Sequence, residues 1–373
     1  MKIFLAIFLL INFSFSQSAP EKRIVDVQNG NKFIGVFSND IKSDDNGNDS
    51  TSDNLTIFDE EFAPNAVDSD GRVDPIDRTI FVSVNTAKFY YFYGKTYEQR
   101  RRFDLAQVSE ILRQEEFDNE RPTVLYLHGY SENMGSESIQ LIVNSYLTRN
   151  DHNIIVLDWS KLAKGTYMTA AVPNAMKLSD ALSDSILDLI NDGLHLDKFH
   201  VVGHSLGGQL AGAVGRKIKE KSNNSIKLRR ISALDPAMPG FYPSVVYKAL
   251  NKFDAKFVDV IHTNGLAAGA PISTGTVDFW PNTGKLIQPG CIGNVCSHQR
   301  SWRYWAESVA SKDSKMFAAV KCASWDEFKK RRCDFDIVAY MGINCPTNTY
   351  GDFYLQTNKQ NPFGKGMGGV KFY

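Results

Sequence analysis

Apolar residues in this chain gather into short blocks, and the period of the pattern changes from block to block. Residues 79–84, 87–93, 123–127 and 153–159 are runs rich in Ile, Val, Leu, Phe and Tyr, which reads as strands, the last two polar so rarely that both faces must be buried. Between Asn174 and Leu194 the spacing turns helical, with Met176, Leu178, Leu182, Ile186, Leu187, Leu189 and Ile190 on one face and Gly193 as a stop signal. The run Phe199-His200-Val201-Val202-Gly203 follows. Residues 209–218 then combine small residues with a basic end, as a helix packed closely on a sheet would. Residues 227–234 and 256–262 read as further strands, and an aromatic helix is expected around Trp302 and Trp305. Strands alternating with helices imply a mostly parallel sheet covered on both faces, with its chemistry at the strands' carboxyl ends.

The first 72 residues break this pattern. Lys2 precedes an apolar stretch that runs into Ser14-Phe15-Ser16, the form of a secretory signal peptide over residues 1–16; the stretch is too short for a spanning helix, which needs about 20 apolar residues. Residues 17–72 read as an acidic, disordered leader, because segments such as 38–54 hold too little apolar surface to offset their ordering entropy. Order is expected from about residue 73–78 onward, giving one domain over 73–373. Charge adds an exclusion: 42 Lys and Arg balance 42 Asp and Glu, so no overall nucleic-acid footprint is present.

The centre of the chemistry is Val202-Gly203-His204-Ser205-Leu206-Gly207-Gly208, a strand that turns sharply into a helix at a serine. Such a nucleophile elbow holds the serine in a strained conformation, and glycines are needed where side chains would collide. A serine hydroxyl is a weak nucleophile, so it needs a histidine base and a carboxylate that orients the base. In this architecture the chain order is serine, acid, histidine. Asp235 ends a strand and opens Asp235-Pro236-Ala237-Met238-Pro239, so it is the expected acid; Asp259 and Asp158 compete, the first mid-strand and the second upstream of the serine. Two histidines follow Asp235. His262 ends an apolar strand and reads as structural, whereas His298, in a loop before the aromatic helix, is the expected base. His204 reads as a packing residue that points away from the nucleophile. The expected oxyanion donors are the amides of Leu206 and of Tyr130, which follows the strand ending at Leu127.

A secretory start changes the reading of the five cysteines, all in the last quarter of the chain and none spaced with histidines as in a zinc site. Their order suggests Cys291 with Cys296 and Cys322 with Cys333. Cys345 is left over, either a free thiol or an intermolecular link. Asn48, Asn54 and Asn223 begin acceptor sequons for glycosylation.

Taken together, Leu127-His128-Gly129-Tyr130, Val156-Leu157-Asp158-Trp159, Gly203-His204-Ser205-Leu206-Gly207, Leu234-Asp235-Pro236-Ala237, Asp259-Val260-Ile261-His262-Thr263, Asp278-Phe279-Trp280-Pro281 and Cys296-Ser297-His298 resemble the pancreatic lipase family, from about Val73 to the C-terminus. The resemblance implies an α/β-hydrolase fold, a secreted carboxylester hydrolase, and a triad that maps onto Ser205, Asp235 and His298. Because all three residues are present, the chain does not resemble the inactive yolk-protein branch.

Departures from the family pattern bear on the substrate. Triglyceride lipases carry a long lid between the cysteines corresponding to Cys291 and Cys296, and here only four residues separate them. The stretch 266–277 is short too. Short versions of both loops go with phospholipase A1 activity in the insect members, so phospholipid cleaved at sn-1 is the expected substrate, with triacylglycerol or galactolipid as the alternative and a non-catalytic lipid-binding or yolk-type protein as the competing class. The chain ends too soon after His298 for a colipase-binding β-sandwich, so no colipase is expected. No cofactor is implied. Asn251 and Asp254 stand where the family's calcium ligands lie; any calcium there would be structural, and a solvated loop is the preferred reading.

Overall fold

The structure is a computed structural model that describes residues 82–372 other than Val245. The signal segment, the leader, Asn48 and Asn54 lie outside the described residues. Within them, eleven strands form one sheet: β1 Lys88–Phe92, β2 Arg100–Asp104, β3 Thr123–Leu127, β4 Asn153–Asp158, β5 Phe199–His204, β6 Arg230–Leu234, β7 Phe257–Ile261, β8 Val277–Pro281, β9 Ala318–Lys321, β10 Asp334–Tyr340 and β11 Gly351–Leu355. Their order is β10-β9-β11-β8-β7-β6-β5-β3-β4-β1-β2. The block from β4 to β11 is parallel, and antiparallel pairs close both edges. This is the expected α/β-hydrolase arrangement.

The helices are α1 Glu137–Arg149, α2 Val172–Asn191, α3 Leu206–Lys221, α4 Gly293–Ala310 and α5 Trp325–Lys329. Alternation along the strands explains why the central runs have no polar face. On β3 and β5, Leu125, Leu127 and Val201 face a core shared with Leu182 and Ile186 of α2 and Leu210 and Val214 of α3. Their neighbours Val124, Tyr126 and Val202 face the opposite core, with Ile139 and Tyr146 of α1 and Trp302 and Trp305 of α4. Each fully buried side chain of this size contributes about 1.5–3 kcal/mol, so exposing either face would be costly.

Two expectations need correction. The described end of the 79–84 run is not a strand: Val84–Thr86 is a single 3₁₀ turn, capped by the Ser83 hydroxyl accepting from the Asn85 amide at 3.3 Å. His298 lies not in a loop but within α4, because that helix already begins at Gly293, and the Cys291–Cys296 bridge clasps its first turn. The second bridge, Cys322–Cys333, also forms. Cys345 has no disulfide partner among the described residues and is buried at 4% exposure, which favours the free thiol of the two readings. Asn223 sits exposed in the turn after α3.

Candidate active site

The parallel strands present their carboxyl ends side by side, and the candidate residues emerge there in sequence. After β5 the chain reverses at Ser205, whose φ of 54° and ψ of −120° lie outside the regions open to ordinary residues. The reversal depends on glycine. A Cβ at Gly203 would stand 2.3 Å from the Gly207 carbonyl oxygen, and one at Gly207 would stand 2.2 Å from that of Leu127. The turn is pinned to its neighbours by the Ser205 amide donating to Leu234 O at 3.0 Å and the Ala237 amide donating to Ser205 O at 3.1 Å.

Asp235 begins where β6 ends, with φ 47° and no solvent exposure. Its Oδ1 accepts from the amides of Thr263 at 2.8 Å and Asn264 at 3.1 Å, and its Oδ2 meets His298 Nδ1 at 2.6 Å. Gly269 makes room for this carboxylate, since a Cβ there would come within 2.2 Å of Oδ1. The His298 side chain keeps 15% of its surface exposed. Its ring lies 4.8 Å, centroid to centroid, from that of His204, the residue before Ser205. The structure therefore brings Asp235 and His298 into direct contact and sets them beside the elbow.

The competing groups are engaged elsewhere. Asp259 is buried mid-strand and takes a two-pronged bond from Arg230 at 2.8 and 2.9 Å. Asp158 caps the Ser160 amide at 3.1 Å. His262 is sealed, with Nδ1 on Ala270 O at 3.1 Å, Nε2 on Asp278 Oδ1 at 2.7 Å and its ring stacked 3.7 Å above Trp280.

Tyr130 follows β3, its hydroxyl donating to Gly165 O at 2.6 Å and its ring edge-on to Tyr167. Among the described residues no acceptor takes its amide. Leu206 is the first residue of α3, so its N–H has no acceptor within the helix and points out of the helix N-terminus. Two residues on from Tyr130 stands Glu132, which sequence reasoning missed. Its Oε2 accepts from the Gly129 amide at 2.5 Å and lies 3.4 Å from His204 Nδ1. His204 is buried as expected, but it is turned toward His298 and paired with this carboxylate.

The Cys291–Cys296 segment leaves its apolar side chains uncovered: Ile292 is 98% and Val295 72% exposed. The neighbouring loop 264–268 is tied to it by Asn264 Nδ2 donating to Asn294 at 3.1 Å, and to loop 283–287 by the Leu266 amide on Lys285 O at 3.2 Å. Leu266, Leu286, Ile287, Ile292 and Val295, on these linked segments, are exposed apolar side chains.

A structural calcium does not fit the Asn251–Asp254 turn. The Arg216 guanidinium already donates to Asp254 Oδ2 at 2.6 Å and to the carbonyls of Ala249 at 3.2 Å and Lys248 at 2.9 Å, while Asn251 Nδ2 reaches Asp254 Oδ1 at 3.2 Å. The oxygens that would ligate a cation are committed to one the protein carries itself. Among the described residues no cluster of His, Cys, Asp and Glu could hold a metal ion.

Residues 82–363 match the family described as Lipase. The chain belongs to the lipase family. Relatives of this lipase-family chain include lipase member H-A of Xenopus laevis, 33% identical over 68% of this chain and 54% of that protein. Pancreatic triacylglycerol lipase of Oryctolagus cuniculus is 30% identical over 67% of this chain and 57% of its own length. Vitellogenin-3 of Drosophila melanogaster is 34% identical over 52% of this chain and 46% of its own. The chain spans about half the length of the relatives it matches. Among the described residues no helix is long and apolar enough to cross a membrane.

Proposed function

We propose that this protein is a secreted carboxylic ester hydrolase in which Ser205, Asp235 and His298 form the triad, and that its substrate is a phospholipid cleaved at sn-1. The observation that carries the reading is the 2.6 Å bond between His298 Nδ1 and a fully buried, otherwise satisfied Asp235, formed beside a serine on a strained elbow. Held by that bond, His298 is left with Nε2 to accept the Ser205 proton. Ser205 Oγ attacks the ester carbonyl, and the charge gathered on the carbonyl oxygen is met by the Tyr130 and Leu206 amides. Collapse expels the lysophospholipid alcohol, which takes its proton from His298. Water, deprotonated by the same imidazole, then attacks the acyl-enzyme, and the fatty acid is released as His298 returns that proton to Ser205 Oγ.

The phospholipid preference rests on the open rim. A four-residue segment clasped by Cys291–Cys296 is too short to shield the serine, and a polar headgroup can extend past it. The exposed Leu266, Leu286, Ile292 and Val295 beside it suit contact with a lipid surface. Triacylglycerol or galactolipid hydrolysis uses the same residues and is the alternative. The kinship with vitellogenin-3 favours a second reading, a lipid-binding protein without catalysis.

The test is fatty-acid release by the purified protein from sn-1-labelled phosphatidylcholine and from trioleoylglycerol, with Ser205→Ala as control. Phospholipid hydrolysis abolished in the control is the expected result. A preference for trioleoylglycerol would retain the triad and remove the rim argument. A folded chain that releases nothing and whose Ser205 resists a fluorophosphonate probe would leave the lipid-binding reading.

A further inference from the structure

Glu132 occupies an unusual place for a carboxylate. It lies in the loop after β3, where Ser131 adopts a left-handed φ of 58° and donates its amide to Ala163 O at 2.9 Å, and this turns the Glu132 side chain back beneath the loop. Only 17% of that side chain remains exposed. One oxygen, Oε2, then serves two loops at once. It accepts the Gly129 N–H at 2.5 Å, in the residue before Tyr130, and stands 3.4 Å from His204 Nδ1, in the residue before Ser205. The fit around it is close: a Cβ at Gly129 would meet His204 Nδ1 at 3.0 Å, and Glu132 Oε2 and Ser205 Cβ each at 3.2 Å. Burial acts to raise the Glu132 carboxyl, but the His204 and His128 imidazoles outweigh it and hold the group at about 2, so it is a carboxylate throughout the neutral range.

We propose that Glu132 is a positioning residue for the oxyanion hole, fixing the Gly129–Tyr130 loop against the nucleophile elbow through the Gly129 amide and His204. The inference rests on the ester-hydrolase reading above. Its physical basis is that oxyanion stabilisation requires donors fixed before the charge develops. By occupying the Gly129 N–H, Glu132 fixes the His128–Gly129 peptide, the unit immediately upstream of the one that carries the Tyr130 amide. By holding His204, it ties the same loop to the chain that carries Ser205 and Leu206. Reach is then the property that matters, and charge is secondary: a negative group beside a developing oxyanion would hinder it unless the group were bonded as this one is.

Two substitutions separate reach from charge. Glu132→Asp keeps the carboxylate but withdraws it by one methylene, and Glu132→Gln keeps the length and an acceptor oxygen without the charge. With the soluble ester p-nitrophenyl butyrate, Glu132→Asp should lower kcat about 10–100-fold with KM within about twofold, because removing one oxyanion donor outright costs about 10²–10³. Glu132→Gln should retain kcat within about threefold. Rates of inactivation by a fluorophosphonate should follow kcat across the set, since that reaction also develops charge on an oxygen in the hole. The inference is overturned if Glu132→Asp keeps wild-type kcat, if KM rises as much as kcat falls, or if Glu132→Gln is as impaired as Glu132→Asp. Should Glu132→Asp fail to fold, Glu132→Ala takes its place: kcat lowered in the Ala variant beside a near-wild-type Gln variant would support the reach argument, and equal kcat in the two, or a large loss in Gln, would refute it. If the unmodified protein neither hydrolyses the ester nor labels at Ser205, the failure belongs to the ester-hydrolase reading; an active protein with an indifferent Glu132 fails on this inference alone.

Discussion

Two imidazole–carboxylate pairs lie close together, with Asp235 just past β6 and His262 just past β7, and they differ in what the second ring nitrogen does. In the pair of His298 and Asp235, Nδ1 is bonded at 2.6 Å and the side chain keeps 15% of its surface in the cleft. In the pair of His262 and Asp278, Nε2 is bonded at 2.7 Å, Nδ1 meets Ala270 O, and the ring is stacked on Trp280 with no exposure. The bonds are nearly equal in length. What separates a base from a brace is whether the remaining nitrogen is left for a substrate.

The largest effect should come from exchanging the carboxylates. Asp235→Asn should lower kcat by about 10⁴-fold, as loss of the orienting acid does in a serine triad. Asp278→Asn should leave kcat within about threefold but cost about 1–3 kcal/mol of stability, because Asp278 also accepts the Thr274 and Gly275 amides at 3.0 Å each. Ester turnover and thermal melting, measured on both variants, check this. A catalytic collapse in Asp278→Asn, with melting unchanged, would erase the distinction.

A single strap joins the two pairs. Gly269 lies against Asp235 Oδ1, and the next residue, Ala270, gives its carbonyl to His262. Gly269→Ala would force a Cβ into the 2.2 Å gap beside Asp235, with no comparable intrusion at His262. The expected result is a loss of about 10–100-fold in kcat, as misplacement of a catalytic group by about 1 Å produces, with a stability cost of about 1–3 kcal/mol. Full activity in the folded variant would show that the strap yields without moving Asp235.

How far the sequence reveals these pairs depends on the kind of signal each residue leaves. Ser205, Asp235 and His298 are legible because each stands within two residues of a glycine, proline or cysteine that marks the local structure. The central strands are legible because burial on both faces leaves them no polar positions. Glu132 leaves no such mark: its contact with Gly129 arises from the left-handed turn at Ser131 and a fold that brings β3 beside β5. Arg230 and Asp259 interrupt apolar strands, and only their register across β6 and β7 shows that they satisfy one another. Of the strands that escape notice, β10 stands at the edge of the sheet, largely exposed and carrying the charged positions of an edge.

A third histidine sharpens the contrast through pH. His200 on β5 bonds Ser232 Oγ at 2.9 Å, and burial, with Arg230 and His152 nearby, pushes its pKa well below the usual value near 6.5. With the folded value below the unfolded one, protons bind preferentially to the unfolded chain. Stability from this group is therefore complete above about pH 6.5 and declines below it, by at most about 1.4 kcal/mol per pH unit for one proton. The depressed Glu132 carboxyl acts lower down. Its contribution is present above about pH 4.5 and is lost as pH falls toward about 2. Melting temperature followed from pH 7 to pH 5 should fall, and His200→Gln should flatten the decline; an unchanged slope in that variant would assign the window to other groups, such as His152, which burial lowers as well.

The smallest effect is expected where a metal would be sought. Asp254 is 1% exposed, and burial raises its carboxyl despite the guanidinium beside it, so its partner matters to folding. Arg216 is that partner, on a helix already fixed against the sheet, and it meets the carboxylate and two carbonyls at once. A divalent ion would have to displace a tethered cation from ligands only partly suited to it, since Asn251 supplies no charge. A chelator or millimolar calcium should therefore leave the melting temperature unchanged. Converting the turn is the sharper test. Arg216→Ala alone strands the buried carboxylate and should cost up to about 3 kcal/mol. Combined with Asn251→Asp, it should create a calcium requirement, the ion restoring about 2–4 °C for each kcal/mol of binding. Destabilisation of the unmodified protein by the chelator would mean that Arg216 yields its place to a metal, and the internal cation would lose its role.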